Sequence, residues 1–424
     1  MSDTIYALSS GRPPAAIAVV RISGSRAQAV VGALSGGLPP PRHAGLRAIR
    51  DAAGALLDRA LVLSFPGPHS ATGEDLVEIH AHGGRAVVAA IEAALADQGL
   101  RRADPGELTR RALTAGRIDL AEAHGLADLL EAETEAERRA ALDAVEGRIS
   151  QLVGGWLHRL AGLSAQVEAM LDYADEEDVG GDAVLASVDR GRLDLTAAIS
   201  DVLAAPAVER LRDGVRVVIG GPPNAGKSTL INLLVQRDAA IVSPIAGTTR
   251  DRIEAQVVRQ GIAYTLTDTA GLTDTDDPVE AIGVTRAGEA IEAADLLLWL
   301  GDATPPRADA LWIHAQSDRP GRDRLPAGRA LAVAQSDSAS IDRLWDLIAA
   351  RVAPMMTSDR PSLREHQRQA CGVALRSLAA DSHGDPVVMA EHIRLAHRAL
   401  ATIVGVDATE AMLDNLFGRF CIGK

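Results

Sequence analysis

Gly221-Pro222-Pro223-Asn224-Ala225-Gly226-Lys227-Ser228-Thr229 fits the pattern G-x-x-x-x-G-K-S/T. It follows the apolar run Val215-Arg-Val-Val-Ile219 and opens a helical stretch through Leu234, so the strand, loop and helix that the pattern needs are all present. In that setting backbone N–H groups and the helix N-terminus bind phosphate oxygens, Lys227 reaches the β and γ phosphates, and Ser228 ligates Mg²⁺. Of 43 lysines and arginines only two are lysines, Lys227 and Lys424. A compact ammonium enters a phosphate-sized nest as a point charge, where a planar guanidinium cannot replace it. The competing reading is a glycine-rich turn with an incidental lysine, and the motifs downstream argue against it.

Asp268-Thr269-Ala270-Gly271 follows a strand, where the Asp268 carboxylate can hold Mg²⁺ through water and the Gly271 N–H can sense a γ-phosphate. Between the two motifs lies Gly247-Thr248-Thr249-Arg250-Asp251, in the place of a first switch whose Thr249 completes the magnesium shell. Order and spacing together predict a GTPase. Position 272 is Leu, where Ras-type enzymes use glutamine to orient the attacking water, so hydrolysis needs another arrangement. The acidic stretch Thr273 to Glu280 either supplies it or is a solvated loop; spacing does not decide. GTP-binding loops usually carry Asn-Lys-x-Asp, but this chain has Ala315-Gln316-Ser317-Asp318, and a later Ser-Ala loop is replaced by Ala334-Gln335-Ser336. Asp318 can still take guanine N1–H and N2–H₂, so weaker affinity or relaxed base choice is expected.

The wider chain supports a multidomain reading. With 424 residues, 47% of them hydrophobic, it can form roughly two to four domains. Strands are expected at Ile17–Ile22, Leu61–Phe65 and Leu76–Ala81 with helix between Gly84 and Leu95, an N-terminal α+β domain. From Ile118 to Asp172 apolar residues recur three and four apart, which predicts a long amphipathic helical region, broken by the acidic run 175–181. From Val215 strands and helices alternate, with strands at Ile262–Leu266, Leu296–Leu300, Leu311–His314 and Ala330–Val333 and a helix at Ile341–Val352, as in a parallel sheet covered by helices. After Pro361 the chain is helical again. An α/β P-loop domain inserted into a discontinuous all-α domain follows, with expected bounds 1–116, 117–212, 213–356 and 357–424.

A net charge of −14 argues against broad, non-specific nucleic-acid binding, so nucleic acid is met locally or through a partner. Two cysteines, Cys371 and Cys421, cannot build a disulfide framework or a four-ligand zinc site and suit a reducing compartment. Neither a spanning apolar run nor a leader pattern is seen, so a cytoplasmic, membrane-free protein is expected. His80 and His82 share a strand face, but without a third ligand at suitable spacing they read as structural.

With Pro223-Asn-Ala-Gly-Lys-Ser228, Gly247-Thr-Thr-Arg-Asp251, Asp268-Thr-Ala-Gly-Leu272 and the terminal Phe420-Cys-Ile-Gly-Lys424 assembled, the chain resembles the bacterial tRNA-modification GTPases of the MnmE (TrmE) family. The resemblance extends to Val20-Arg-Ile-Ser-Gly24, Thr72-Gly-Glu-Asp75, His82-Gly-Gly84 and Arg117-Ile-Asp-Leu-Ala-Glu122. It implies a homodimer with an N-terminal folate-binding and dimerisation domain. It also implies a flavoprotein partner of the MnmG kind, in a heterotetramer that installs an aminomethyl-type group on wobble uridines of certain tRNAs. Motif position implies a nucleotide set of Asn224, Ala225, Gly226, Lys227, Ser228, Thr229, Ser243, Pro244, Ile245, Ala246, Gly247, Thr248, Thr249, Asp268, Thr269, Ala270, Gly271 and Asp318. Magnesium falls to Ser228, Thr249 and Asp268. Potassium falls to the Asn224 side chain and the carbonyls of Ser243, Ile245 and Thr248, and Glu280 orients the catalytic water.

A 5-formyltetrahydrofolate-type donor is implied at Arg21, Glu78 and Arg117, with Lys424 reaching it from the tail; the position of Arg117 is often Lys in the family. On residues alone Arg21 and Glu78 read as charged groups on strand faces. Cys421 stands as a thiol participant that Lys424 favours as thiolate, or as a residue that packs the terminus. The competing function is an RNA- or ribosome-associated switch GTPase without group transfer, which would need no folate. A third, weaker possibility is a nucleotide-binding structural partner that has lost strict GTP use.

Overall fold

The computed structural model describes residues 3–172, 181–236, 254–269, 288–356, 360–406, 409–418, 420 and 423. Chain contacts divide it into two units: 1–127 with 144–154 and 401–424, and 128–143 with 155–400.

The first unit carries a six-stranded sheet made of β1 (Ile5–Leu8), β2 (Ile17–Ser23), β3 (Gly45–Arg50), β4 (Leu56–Phe65), β5 (Leu76–His82) and β6 (Arg101–Arg102), in the order β3-β4-β5-β2-β1-β6. Only β1 and β6 run parallel. Strand alternation sends Val20, Ile22, Val77 and Ile79 into a core with Val31, Ile91 and Leu95 from the helices Ala27–Ser35 and Arg85–Asp97. The same alternation leaves Arg21, Glu78 and His80 together on the opposite face. β1, β3 and β6 were not expected from sequence: β1 and β6 are short, and Gly45-Leu-Arg-Ala-Ile-Arg50 buries only Ile49. In the same unit the helix Glu410–Phe417 lies on the helix Glu107–Thr114, so closely that a side chain at Gly106 would meet the Phe417 carbonyl at 2.6 Å. Thr72 and Glu74, in the Thr-Gly-Glu-Asp stretch, bond the Ser23 hydroxyl at 2.8 and 2.9 Å.

The helical region expected over 118–172 is helical and is divided into three helices, Leu120–Glu131, Glu135–Val145 and Arg148–Asp172. Thr134 ends the continuity, because its hydroxyl accepts the Glu137 N–H at 3.2 Å and donates to that glutamate's carboxylate at 2.7 Å. Gly147, at φ 77°, makes the second break. Apolar periodicity runs through both turns, which is why the pattern hid them.

The second unit holds β7 (Val215–Gly220), β8 (Glu254–Arg259), β9 (Ile262–Asp268), β10 (Leu296–Trp299), β11 (Leu311–Ala315) and β12 (Leu331–Val333), ordered β12-β11-β10-β7-β9-β8. The sheet is parallel as expected except for its edge, where the polar β8 pairs antiparallel with β9. One face packs Val217, Ile219, Leu266 and Leu298 against Leu230 and Leu234 of the helix Lys227–Gln236 and Ile341, Trp345 and Ile348 of the helix Ser338–Met356. The helical segments before and after this α/β region pack together. Arg192 of the helix Gly181–Leu203 donates to the carbonyls of Leu378 and Ala380, at the end of the helix Glu365–Ala379. Arg368 of the latter donates to Leu203 and Ala205, and Arg364 pairs with Asp128. The α/β region is therefore an insertion within a helical assembly.

Candidate functional site

β7 lies between β9 and β10, where the strand order reverses, and such a switch point opens a crevice at the carboxyl ends of the strands. The loop 221–226 occupies that place. Gly221 and Gly226 take φ of 149° and 92°, and Asn224 takes 61°, a left-handed conformation that asparagine tolerates better than most residues. The turn ends with Lys227 as the first helical residue, almost fully buried, its Nζ 3.0 and 3.1 Å from the carbonyls of Gly221 and Pro222. An ammonium is thereby held at the mouth of a loop that ends on a helix N-terminus.

The parallel register sets Ile219 beside Asp268. One residue beyond, the Thr269 hydroxyl and N–H both donate to the Ile219 carbonyl, at 3.0 and 3.4 Å, closing the strand end. Asp268, itself buried, then accepts a hydrogen bond from the Ser228 hydroxyl. Two of the three expected magnesium ligands are thus in contact, and a hydroxyl with a carboxylate is the hard-oxygen set that Mg²⁺ takes alongside phosphates. Among the described residues no group of three or more His, Cys, Asp and Glu side chains could hold a metal by themselves. Thr249, Ser243, Pro244, Ile245, Ala246, Gly247, Thr248, Ala270, Gly271 and Glu280 lie outside the described residues, as do Cys421 and Lys424.

Asp318 stands at the rim of a cavity of about 280 Å³ lined also by Gly226, Thr229, Gln316, Arg319 and Gln335. Its Oδ2 accepts the Ser336 hydroxyl at 3.1 Å and the Ser336 N–H at 3.4 Å. Desolvation raises its pKa, but these bonds outweigh that and hold the carboxyl below the usual carboxylate range. Ser336 thus orients the carboxylate. Gln316 donates to the Asn224 carbonyl at 3.0 Å, joining this loop to the phosphate loop. Sequence reasoning counted both positions only as departures from a motif; in the fold Ser336 bonds Asp318 and Gln316 bonds the phosphate loop.

On the N-terminal sheet Arg21 and Glu78 sit directly opposite each other in the antiparallel register of β2 and β5, Nε to Oε1 2.9 Å. His80 Nε2 is 2.9 Å from the other carboxylate oxygen. Desolvation pushes the Glu78 pKa up, but the bonds from His80 and Arg21 outweigh it and the net shift is downward. His80, read from sequence as structural, is therefore a member of this polar cluster, whereas His82 pairs with Asp58 at 2.8 Å. Arg117 is exposed, its stem passing Gly73, and makes no hydrogen bond to Arg21 or Glu78 among the described residues. Gly423 is buried against Leu8, its carbonyl accepting the Ser9 hydroxyl at 2.6 Å, while the Ser9 N–H bonds Val19 at 2.7 Å. Gly423 thereby lies against the end of β1, the strand that pairs with β2. Since each Glu78 oxygen keeps a lone pair, the cluster suits a ligand with paired N–H donors and an anionic part.

The family model for the GTP-binding protein TrmE N-terminus matches residues 4–117, and that for the MnmE helical domain matches residues 120–421. The chain belongs to the MnmE family. Proteins named tRNA modification GTPase MnmE are 52% identical in Rhizorhabdus wittichii, over all of this chain and 97% of the relative, and 51% identical in Erythrobacter litoralis, over all of both. A third, from Sphingopyxis alaskensis, is 49% identical over 96% of this chain and the whole relative. The MnmE helical match spans the α/β insertion, consistent with the helices on either side packing as one assembly. Among the described residues no helix is long and apolar enough to cross a membrane.

Proposed function

We propose that this chain hydrolyses GTP to GDP and phosphate and, with a flavoprotein partner of the MnmG kind, adds an aminomethyl-type group at C5 of the wobble uridine of certain tRNAs. The single observation that carries the GTPase half is the bond between Ser228 and Asp268 beneath the loop that ends at Lys227. Lys227 holds positive charge where the β and γ phosphates lie, Ser228 and Asp268 hold the magnesium position with Thr249, and Asp318, turned by Ser336, accepts the guanine N–H groups. Bound Mg²⁺ and K⁺ supply the charge that neutralises phosphate oxygens as the bond to the γ-phosphate breaks. Asn224 and the carbonyls of Ser243, Ile245 and Thr248 are the potassium ligands in this reading, and Glu280 orients the water that Leu272 cannot.

The uridine half rests on the cluster of Arg21, Glu78 and His80, with Arg117 and Lys424 completing the site for a folate one-carbon donor and Cys421 as its thiol participant. A homodimer built on the N-terminal domain accounts for the apolar Ile17, Leu46 and Leu61, which are 58%, 61% and 43% exposed. Leu46 and Leu61 are cross-strand partners, so they form one patch. The protein acts in the cytoplasm, as residues 1–116, 117–212, 213–356 and 357–424 working as four segments. Steady-state hydrolysis of GTP and ATP in potassium and in sodium tests the first half: potassium-dependent turnover of GTP is expected. Binding of 5-formyltetrahydrofolate by wild type, and its loss in Glu78→Gln, tests the second. Its absence would favour a switch GTPase without group transfer.

A further inference from the structure

The Gln316 carboxamide is the direct bond between the two loops of the nucleotide site. Its Nε2 donates to the Asn224 carbonyl at 3.0 Å, and because a carbonyl only accepts, the amide nitrogen must face the phosphate loop. A Cβ built at Gly226 would lie 3.2 Å from that nitrogen and 3.7 and 3.8 Å from Cγ and Cδ, so the side chain runs along a backbone made accessible by the missing Cβ. Gln316 and Asn224 both adopt left-handed φ, 58° and 61°, at the two ends of this bond. The base of the recognition loop is held separately: Arg322 Nε donates to the Ala315 carbonyl at 3.1 Å, and His314 Nε2 bonds the Arg322 carbonyl at 2.8 Å. Gln316 lines the same cavity as Asp318, which leaves it touching the phosphate loop on one side and the base cavity on the other.

We infer that Gln316 is a positioning residue for the nucleotide: a neutral amide N–H, in place of a lysine ammonium, holds the phosphate loop against the end of β11, while Ser336 orients the Asp318 carboxylate. The inference rests on the GTPase reading of this site. Its contribution is independent of the base, because the bond is between two loops of the protein, while the base-dependent part belongs to Asp318.

The test measures affinity of the full chain for Mg²⁺·GDP, Mg²⁺·IDP and Mg²⁺·ADP by calorimetry, with kcat and KM for GTP, in wild type, Gln316→Ala, Gln316→Glu, Gln316→Lys and Asp318→Asn. Loss of one net hydrogen bond should weaken GDP and IDP alike in Gln316→Ala, by about three- to tenfold, with the effect in KM rather than kcat. Gln316→Glu, of the same size but without a donor, should do at least as badly. Gln316→Lys should restore wild-type affinity, since its ammonium can donate to the same carbonyl. Asp318→Asn should erase the preference for GDP over IDP. If Gln316→Ala or Gln316→Glu bound GDP as wild type does, or if either changed the ratio of GDP to IDP, the positioning role is wrong. A positioning failure with an Asp318→Asn defect leaves the GTPase reading intact. A wild type that does not prefer GDP to ADP, with Asp318→Asn silent, overturns both.

Discussion

The Ser228 hydroxyl donates to the Asp268 carboxylate across the ends of two neighbouring parallel strands. The bond couples the residue after Lys227 to the end of β9, so the two proposed magnesium ligands come from elements far apart in sequence. Ser228→Ala and Asp268→Asn should each raise the Mg²⁺ concentration for half-maximal GTP hydrolysis by about tenfold or more. A magnesium titration of steady-state turnover checks this, and an unchanged midpoint in both variants would remove the pair from the metal site.

Glu78 should confer pH-dependent stability. Its folded pKa lies below the ordinary 4.5, since the bonds from His80 and Arg21 outweigh desolvation. A depressed carboxyl pKa stabilises the fold fully above the unfolded value, and that stabilisation is lost as pH falls through the folded one. Urea midpoints from about pH 3 to 7 should therefore show Glu78→Gln less stable than wild type near neutrality, the two converging in acid.

Cys371 is fully buried in the helix Glu365–Ala379, and burial pushes its thiol pKa up to about 12. In a Cys421→Ser protein, iodoacetamide should label Cys371 only after denaturation. The same Cys421→Ser protein should lose uridine modification while GTP hydrolysis persists; retained modification would leave Cys421 a packing role only.

Arg192 is buried and donates to the carbonyls of Leu378 and Ala380. Replacement by alanine strands those acceptors, so Arg192→Ala should lower unfolding stability by roughly 3 kcal/mol. Arg192→Lys should recover only part of this, because one ammonium cannot repeat the guanidinium fork. Denaturant unfolding measures both.

The phosphate loop, the order of the nucleotide motifs and the alternation that buries Val20, Ile22, Val77 and Ile79 were legible in the amino-acid sequence, because each depends on residues adjacent in the chain or on the period of a strand or helix. β1, β3, β6 and β8 escaped, being short or polar; their pairing is supplied by neighbouring strands rather than by local pattern. The helix breaks at Thr134 and Gly147 escaped as well, since a side-chain cap and a positive φ do not interrupt apolar periodicity. Arg21 and Glu78 were named from a resemblance, but only the antiparallel register placed them opposite each other, while the alternation of β5 sets His80 beside the second carboxylate oxygen of Glu78. Gln316 gives the sharpest case. In sequence it is a missing lysine; folded, its amide is within bonding reach of Asn224, because the parallel order β11-β10-β7 brings the carboxyl ends of β7 and β11 to the same end of the sheet. The chain by itself determined which chemical groups are present and their local conformations. Which groups meet was decided by strand order and register, since those are set by pairing energies between segments remote from one another.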